Sequence, residues 1–379
     1  MRAIALIIPG LDRIGGAEQQ LILLAKGLRK RDWQVSVVAL SGTGGAAATE
    51  LAAHGVQFLG LGMRKGLADP RGWIRFHHWL RQERPEVVHA HLPHAAWFAR
   101  WSRLAGPVRV MVDTLHSSST GTFGRKLGYR WSAWLPDKVT AVSHAVAGTH
   151  LAAGMVGEDI LIVLPNGVDV DEWRPDPVAR FVVRRELEVN AEFLWFAAGR
   201  LDPVKDYPTL LRAMAEVPEP ERLVIAGAGP LESELRGLSK ELGLESRVRF
   251  LGFEPDVRRW MRAADGFVLS SRLEGLPMSV LEAAACAVPT VATNVPGTRE
   301  AIIDGQTGWL AHAGSAHALR DAMNRMMQTP LQERKAMGER ARQSVIKHFS
   351  LDAVLNRWEA LYADLLILHP QPSRRGHLV

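Results

Sequence analysis

Short apolar runs alternate with longer amphipathic stretches along almost the whole chain. Seven apolar runs in the first half predict buried parallel strands, at Ala3–Ile8, Gln34–Leu40, Val56–Leu59, Val87–Ala90, Arg109–Thr114, Lys138–Val142 and Ile160–Leu164. Five follow in the second half, at Leu194–Ala198, Leu223–Ala226, Val248–Leu251, Gly266–Leu269 and Thr290–Ala292. Amphipathic stretches between them, beginning with Gly16–Lys30, predict helices. The alternation predicts an α/β fold with parallel sheets.

A polar, proline-rich segment, Asp169–Pro177, separates the two series of strands. Such segments are typical of domain boundaries, and 379 residues suit two domains better than one. We therefore predict one domain over residues 1–168 and a second over 175–349. Ser350–Ile367 predicts a final amphipathic helix, and residues 370–379 predict a disordered tail.

The composition is that of a soluble globular protein, with 47% hydrophobic and 23% charged residues. No apolar run reaches the roughly 18 residues that predict a membrane-spanning helix. The apolar start of the chain is too short for a signal peptide and fits a first strand better. Cys286 is the one cysteine, so the sequence offers neither an internal disulfide nor a cysteine-based metal site. These features predict a cytoplasmic protein.

The net charge of +6 is spread unevenly. Residues 60–136 hold twelve Lys or Arg against four acids, together with six of the twelve Trp. Basic residues among Trp suit an anionic membrane surface. No nucleic-acid-binding motif accompanies them, so we expect no nucleic-acid partner. The alternative is a solvated basic face over an ordinary core. One apolar stripe in this region, on a helix over 123–134, favours packing on the core, and it comprises Phe123, Leu127, Trp131 and Trp134.

Two carboxylates, Glu274 and Glu282, flank a Gly-Leu-Pro turn that follows a short apolar strand and opens a helix. Gly275 allows a close backbone approach to a ligand, and Pro277 fits the first helical turn. The free N–H groups of a helix start suit a phosphate, and a carboxylate accepts hydrogen bonds from a vicinal diol such as that of ribose. The alternative is a surface helix with a solvated glutamate.

With its flanking segments Ala287–Thr293 and Val295–Ile302, this stretch resembles the E-x7-E motif of retaining glycosyltransferases of family 4, which have the GT-B fold. The resemblance extends over about residues 3–367. It implies two Rossmann-like domains facing across a cleft, an acceptor domain first and a donor domain second, with the last helix crossing back onto the first. It also implies that Glu282 holds the ribose of a nucleotide sugar and Glu274 lies against the transferred sugar. Three turn residues would meet sugar and phosphate: Gly275, Leu276 and Pro277.

The segment from Gly199 to Lys205 resembles the family stretch whose Arg and Lys neutralise the leaving diphosphate. The resemblance therefore implies this role for Arg200 and Lys205. The charges suit the chemistry, because cleavage of a sugar–diphosphate bond builds negative charge that a guanidinium and an ammonium stabilise. Asp206 stands where the family usually has glycine.

Two glycine pairs follow predicted strands and open helices. Gly15 and Gly16 do not form the dinucleotide-binding fingerprint; the resemblance implies that their loop caps the donor site, and a turn without a ligand is the alternative. Gly227 and Gly229 are implied to line the nucleotide pocket through their backbone.

Two segments that resemble family motifs bear on the donor sugar and on metal binding. Gly297 resembles a glycine of the donor site, but Pro296 and Ala287 replace usual glycines, which leaves the donor sugar open. Asp169 and Asp171 have the spacing of a metal-binding D-x-D pair, yet they lie in a hinge motif, so we expect no metal.

Two histidines end strands of the first domain, where ligands bind in open α/β sheets. His116 resembles a family histidine near the donor sugar and is the first choice. His91 is a candidate on the acceptor side, with a purely structural role as the alternative.

The resemblance implies transfer of a hexose or N-acetylhexosamine, with retention, from a nucleoside diphosphate sugar to a glycan or lipid-linked glycan in cell-surface polysaccharide synthesis. A UDP-sugar is favoured over GDP-mannose, and no cofactor or metal is expected. The site of action would be the cytoplasm, with the inner face of the membrane as a peripheral location. The alternatives are another GT-B enzyme, such as a nucleotide-sugar epimerase, and an inactive sugar-nucleotide-binding partner protein.

Overall fold

The computed structural model describes residues 2–64 and 69–370, which form two compact units. The first unit comprises the described residues up to Gly167 together with those from Leu351 onward. The second unit is Val168–Ser350. Residues 371–379 of the predicted tail, and Lys65 of the basic region, lie outside the described residues.

A parallel sheet in the order β3-β2-β1-β4-β5-β6-β7 forms the first unit. Its strands are β1 Ala3–Ile8, β2 Gln34–Ala39, β3 Gln57–Gly60, β4 Val87–His91, β5 Val110–Leu115, β6 Lys138–Ala141 and β7 Leu161–Val163. Its helices are α1 Gly16–Lys30, α2 Gly45–Ala53, α3 Pro70–Glu83, α4 Pro93–Ser102, α5 Phe123–Trp131, α6 His144–Ala152 and, from the end of the chain, α15 Leu351–Leu368.

The second unit has a parallel sheet in the order β10-β9-β8-β11-β12-β13. Its strands are β8 Leu194–Ala198, β9 Arg222–Ala226, β10 Val248–Gly252, β11 Gly266–Leu269, β12 Thr290–Thr293 and β13 Gly308–Ala311. Its helices are α7 Pro177–Glu186, α8 Tyr207–Ala215, α9 Glu232–Glu241, α10 Val257–Ala263, α11 Met278–Ala285, α12 Pro296–Ala301, α13 Ala316–Gln328 and α14 Leu331–Phe349, with a 3₁₀ turn at Pro203–Lys205.

Both sheets reverse their strand order at an interior position. In the first unit the reversal lies between β1 and β4, where Ile7 is in register with Ala90. In the second it lies between β8 and β11, where Phe196 is in register with Phe267. Loops that leave two such strands turn in opposite directions and open a crevice at the carboxyl ends of the strands. The candidate residues of each unit follow the strands at these reversals or the strands beside them.

Helix α15 completes the core of the first unit. Trp358, Tyr362 and Leu365 are buried in one apolar cluster with residues of α1 and the sheet. The two helices approach closely, since a β-carbon at Gly27 of α1 would lie 2.6 Å from a methyl carbon of Leu355. This helix therefore belongs to the unit that the beginning of the chain builds.

The predicted α/β fold with two parallel sheets is confirmed. Two local expectations were incomplete: β13 was missed because its four residues contain no β-branched side chain, and Pro277 precedes the first turn of α11 instead of occupying it. No helix among the described residues combines the length and the apolar character that crossing a bilayer requires.

Three residues of the predicted stripe, Leu127, Trp131 and Trp134, do not pack on the core, contrary to the prediction. Trp131 and Trp134 are each 69% exposed, and Trp134 lies beyond the end of the helix. Tyr129, on another face of α5, is buried instead, with its ring 4.4 Å from the Arg100 guanidinium carbon. The helix therefore packs through Tyr129, whereas Leu127, Trp131 and Trp134 are exposed. The side chain of Phe123 lies outside the described part of the structure.

An ion pair lies fully inside the first unit. Arg100 Nε donates to Asp113 Oδ2 at 2.6 Å, and both side chains are buried. Arg100 Nη1 also donates to the Tyr129 carbonyl at 3.2 Å and to Ser132 Oγ at 3.0 Å. Burial raises the pKa of Asp113, although the neighbouring guanidinium opposes that shift. The pair thus ties α4, β5 and α5 together at the cost of desolvating two charges.

Replacing one partner should be costly, because the other charge then remains buried without compensation. We expect Arg100→Met to lower the free energy of unfolding by about 3–5 kcal/mol in urea titrations at pH 7. The double variant Arg100→Met/Asp113→Leu should recover a large part of that loss. The control Arg236→Met removes the exposed pair with Glu232 and should cost below about 1 kcal/mol. Equal losses in the single and double variants would contradict the interpretation.

Candidate active site

The loops after β8 and β11 bring a lysine and a glutamate together. Lys205 ends the 3₁₀ turn that follows β8, and Glu274 lies in the loop after β11. Lys205 Nζ lies 2.6 Å from Glu274 Oε1, which also accepts a 2.6 Å hydrogen bond from Ser271 Oγ. Both side chains are largely buried. The structure therefore joins two of the predicted residues in one ion pair at the strand reversal.

Glycines allow the neighbouring loops to touch backbone to backbone. A β-carbon at Gly227 would lie 1.9 Å from the Gly199 carbonyl oxygen, and one at Gly229 would lie 2.2 Å from the Leu201 carbonyl oxygen. Gly199 is fixed further by Tyr207, whose hydroxyl donates to its carbonyl at 3.2 Å. No side chain fits at these positions, so Gly227 and Gly229 are required for the contact between the loops. Their predicted place in a nucleotide pocket stays a prediction.

Gly297, in the first turn of α12, lies against the loop that carries Glu274. A β-carbon there would lie 2.4 Å from the Gly275 carbonyl oxygen. Thr298 holds the helix start, since its hydroxyl oxygen accepts from the Val295 N–H at 3.1 Å. The turn residues Leu276 and Pro277 are buried next to Gly275. The backbone of this turn is consequently held from two sides.

Glu282 lies in α11 and is the carboxylate without a counterion in this unit's candidate site. Among the residues that the structure describes, none donates a hydrogen bond to its side chain, and burial raises its pKa to about 7. The residue is half-buried, and a carboxylate that loses water without gaining donors or a counterion is destabilising unless a ligand supplies them. Glu282 is therefore poised to accept hydrogen bonds from a bound molecule.

Arg200 and Asp206 differ in how they are held. The Arg200 side chain is 73% exposed, and its Nε lies 3.8 Å from Asp202 Oδ2, so it is free to reorient. Asp206 has a φ of +48°, in the left-handed region that favours glycine, which explains why the family usually has glycine there. Its carboxylate accepts from Thr209 Oγ1 at 2.9 Å and from Arg272 Nε at 2.9 Å.

Three supporting residues were missed by sequence reasoning: Ser271, Tyr207 and Arg272. Ser271 positions Glu274, Tyr207 positions Gly199, and Arg272 links the glutamate loop to the lysine turn through Asp206. Of the three, only Arg272 had a signal in the sequence, because it is a charged residue two positions before Glu274. The other two act through backbone and hydroxyl contacts that no spacing reveals.

In the first unit, Gly15 and Gly16 lie at the start of α1, both exposed, and the Gly15 N–H donates to Glu18 Oε2 at 3.0 Å. His91 ends β4 and His116 follows β5. His91 Nδ1 lies 3.0 Å from His116 Nε2, so the two predicted histidines contact each other directly. Burial lowers the pKa of His116 to about 4.

The predicted hinge acids have a local structural role. Asp169 Oδ1 accepts from the N–H groups of Asp171 and Glu172 at 3.1 and 3.0 Å, which closes a turn. Across residues 2–64 and 69–370, no three His, Cys, Asp or Glu side chains group in a way that could hold a metal ion.

Two families match consecutive parts of the chain. Residues 14–172 match Glycosyltransferase Family 4, and residues 181–344 match Glycosyl transferases group 1. Among similar proteins, N-acetyl-alpha-D-glucosaminyl L-malate synthase of Bacillus anthracis is 28% identical over 295 residues, 76% of each chain. The GDP-mannose-dependent alpha-(1-6)-phosphatidylinositol monomannoside mannosyltransferase of Mycolicibacterium smegmatis is 32% identical over 272 residues, 66% of this chain and 68% of the other. UDP-Gal:alpha-D-GlcNAc-diphosphoundecaprenol alpha-1,3-galactosyltransferase of Escherichia coli is 25% identical, with coverage of 79% and 81%.

Solved structures resemble the fold over almost its full length. Anabaena HepE in complex with UDP and glucose superposes with a TM-score of 0.86 at 22% identity, covering 96% of this chain and all of the other. Sucrose-phosphate synthase from Thermosynechococcus elongatus gives a TM-score of 0.82 at 20% identity, covering 97% and 100%. These likenesses confirm the predicted GT-B fold.

The raised pKa of Glu282 makes stability depend on pH. A carboxyl whose folded pKa of about 7 exceeds its ordinary 4.5 favours the protonated folded state, so stability is lost as pH rises from 4.5 through 7. We expect Glu282→Gln to raise the free energy of unfolding by roughly 2–4 kcal/mol at pH 8 and to change it little at pH 4.5. Urea titrations at both pH values measure this, with Glu241→Gln on the exposed face of α9 as control. If Glu282→Gln changes the free energy of unfolding equally at both pH values, the raised pKa of Glu282 is contradicted.

Proposed function

Because this chain belongs to glycosyltransferase family 4, we propose that it transfers a hexose or N-acetylhexosamine from a nucleoside diphosphate sugar to a hydroxyl group of a glycan or lipid-linked glycan. The observation that carries this proposal is the Lys205–Glu274 ion pair at the reversal of the second sheet. Glu282, a carboxylate without hydrogen-bond donors, lies just over one turn into α11, the helix that follows the same loop. A cation, a fixed carboxylate and an unsatisfied carboxylate match the diphosphate, sugar and ribose of one donor.

Lys205 and Arg200 are proposed to stabilise the leaving diphosphate. Lys205 Nζ is already held by Glu274, so its ammonium is in place before the donor arrives. Arg200 is largely exposed and has room to turn its guanidinium towards phosphate oxygens. Preplaced positive charge lowers the energy of a transition state in which negative charge grows. With two cationic side chains in this role, the proposed reaction needs no metal.

Glu282 is proposed to accept hydrogen bonds from the two ribose hydroxyls. Such bonds would compensate the partial burial that raises the pKa of its carboxyl. This role does not depend on the base. A UDP-sugar is the first choice because the similar Escherichia coli enzyme is named for UDP-Gal and Anabaena HepE binds UDP. GDP-mannose is the second, from the name of the similar mycobacterial enzyme.

We propose that the transfer retains the anomeric configuration and gives an α-glycosidic bond. The acceptor oxygen bonds to the anomeric carbon on the face from which the diphosphate departs, and the acceptor proton passes to the departing phosphate oxygen. Glu274 would stabilise the developing positive charge on the sugar without forming a covalent bond. The products would belong to cell-surface polysaccharide or glycoconjugate synthesis, at the cytoplasmic side of the membrane.

The assay for this proposal is a panel of UDP- and GDP-sugars. Binding is scored by thermal shift, turnover by release of the nucleoside diphosphate, and the new linkage by NMR of the product. We expect Lys205→Met to lower kcat about 100-fold, on the order of 3 kcal/mol, with a much smaller change in donor Kd, because leaving-group charge is greatest in the transition state. Lys240→Met, an exposed lysine of α9, is the matched control.

Three outcomes would replace the proposal. Conversion of the nucleotide sugar into its epimer, without transfer to an acceptor, would identify an epimerase. Nucleotide binding without turnover of any donor would identify an inactive binding partner. A Lys205→Met variant that loses donor affinity but keeps its kcat would remove Lys205 from the leaving-group role.

We further propose that the first unit contacts anionic lipid, which would bring a lipid-linked acceptor to the enzyme. The support is an exposed surface of Leu127, Trp131 and Trp134 on and after α5, with Arg130 also exposed. Trp prefers the headgroup layer, and each nearby basic side chain contributes about 1 kcal/mol of attraction to anionic lipid at low salt. We name Leu127, Trp131 and Trp134 the tryptophan surface.

Vesicle co-sedimentation tests the tryptophan surface. We expect the chain to sediment with vesicles containing anionic lipid and to be released by salt. The double variant Trp131→Ser/Trp134→Ser should lose this binding. Phe253→Ser, which removes an aromatic residue that is 80% exposed in the second unit, should keep it. Equal binding to neutral and anionic vesicles, or no binding to either, would refute the membrane contact and favour a soluble acceptor.

A further inference from the structure

The two carboxylate oxygens of Glu274 are used differently. Oε1 lies 2.6 Å from Lys205 Nζ and 2.6 Å from Ser271 Oγ. A carboxylate only accepts hydrogen bonds, so both groups donate to this one oxygen. No described residue donates to Oε2, yet Oε2 is not among the fully buried polar atoms that lack a partner. Protein contacts therefore occupy Oε1 and leave Oε2 accessible.

Ser271 is itself held from the neighbouring strand. Thr293 ends β12, and its Oγ1 donates to the Ser271 carbonyl at 2.5 Å. Both side chains are fully buried. Strand β12 lies between β11 and β13, with Thr293 in register with Ala311. A hydroxyl on an interior strand is a rigid support, so Thr293 fixes the backbone from which the Ser271 hydroxyl reaches Glu274. We name Ser271 and Thr293 the hydroxyl pair.

The backbone of Lys205 is held independently of the hydroxyl pair. The Lys205 carbonyl accepts from Ser270 Oγ at 2.8 Å, and the Lys205 N–H donates to Asp202 Oδ1 at 3.2 Å. Loss of the Ser271 hydroxyl would leave both of these bonds intact. The direct effect of that hydroxyl is therefore on the Glu274 carboxylate.

The lysine alone does not fix how the carboxylate is rotated. The terminal torsion of a glutamate is broad, so a single contact lets the carboxylate turn and exchange its two oxygens. An ammonium on a flexible four-carbon stem follows such a movement. The Ser271 hydroxyl is short, buried and attached to a fixed backbone, so it defines one rotation. Hydrogen bonds to a charged acceptor are strong enough to maintain it.

We propose that Ser271 and Thr293 are positioning residues for Glu274: the hydroxyl pair fixes the rotation of the carboxylate, so that Oε1 stays with Lys205 and Oε2 is presented to the transferred sugar. The inference rests on the proposed sugar transfer for the identity of the group that meets Oε2. It assigns neither hydroxyl a contact with the reacting atoms. The hydroxyl pair acts on Glu274 without substrate, so its effect is testable in the resting protein.

Two variants remove the two bonds, and a third residue of the same strand supplies the control. Ser271→Ala removes the donor to Oε1, and Thr293→Val removes the donor to the Ser271 carbonyl at nearly unchanged volume. Thr290 begins β12 and is also buried, but its hydroxyl has no partner within the described part of the chain. Thr290→Val therefore makes the same substitution without breaking a hydrogen bond.

The first measurement is NMR of full-length protein labelled with ¹³C at the glutamate carboxyl carbon, without ligand. The Glu274 signal is the one that disappears in Glu274→Gln. We expect Ser271→Ala to shift this signal, Thr293→Val to shift it less, and Thr290→Val to leave it in place. An unchanged Glu274 signal in Ser271→Ala would overturn the proposal, and far-UV circular dichroism establishes that each variant is folded.

The second measurement is turnover with the donor found in the panel, together with the Kd of the nucleoside diphosphate alone. We expect Ser271→Ala to lower kcat about tenfold and Thr293→Val about threefold, because Oε2 would act on charge that develops on the sugar. The Kd of the nucleoside diphosphate should stay within about twofold, because this probe has no sugar for Oε2 to meet. Thr290→Val should match wild type in both quantities.

Three results in this assay would also overturn the proposal. The first is a normal kcat in Ser271→Ala despite a shifted Glu274 signal. The second is a Ser271→Ala variant that loses affinity for the nucleoside diphosphate as strongly as it loses kcat, which would show a disrupted loop. The third is a Thr293→Val variant that behaves like Thr290→Val in both measurements, and this comparison decides alone if Ser271→Ala does not fold. If wild type turns over no donor, the sugar transfer is refuted, and the NMR result still decides whether the hydroxyl pair fixes the carboxylate.

Discussion

The loops at the carboxyl edge of the second sheet lie so close together that side chains have no room between them. Gly227 and Gly229 let the loop after β9 rest on the backbone after β8, and Gly297 does the same for α12 and the glutamate loop. Backbone contact of this kind fixes loop positions more firmly than side chains do, because it has no rotamers. Glu274 and Lys205 depend on it, since each sits on a loop that such contacts hold.

Charge pairing adds a second level of order. Lys205 and Glu274 form one ion pair, and a second pair joins the same two segments: Asp206, the residue after Lys205, bonds to Arg272, two residues before Glu274. The first pair is largely buried and the second is open to solvent on the arginine side, so their energetic weights differ. Glu282 has no such partner. At this edge of the sheet the chain therefore pairs one carboxylate, Glu274, with a cation and leaves a second, Glu282, without one.

The alternation of apolar runs was sufficient to predict two parallel sheets, because strands buried on both faces are nearly continuous apolar segments. The candidate residues were predicted from local motifs. The contact between Lys205 and Glu274 arises because the strands that precede them, β8 and β11, are neighbours in the sheet. The sequence could not show that Lys205 bonds to Glu274 or that His91 bonds to His116, since both contacts join residues far apart in the chain. The prediction for the α5 stripe was wrong for a related reason. Periodicity identifies an apolar face of the helix, but it does not show that α5 packs on the core through Tyr129, which contacts Arg100.

The return of α15 to the first unit has a consequence for synthesis on the ribosome. The chain leaves that unit at Gly167 and re-enters it at Leu351, so the entire second unit is translated between the two parts of one core. Val168–Ser350 is contiguous and has all its strands before α15 emerges. Domains generally fold in the order of their synthesis, but here the first unit can complete its core only after the whole second unit has been translated. Until α15 is translated, the first unit lacks Trp358 and Tyr362, two buried residues of its core.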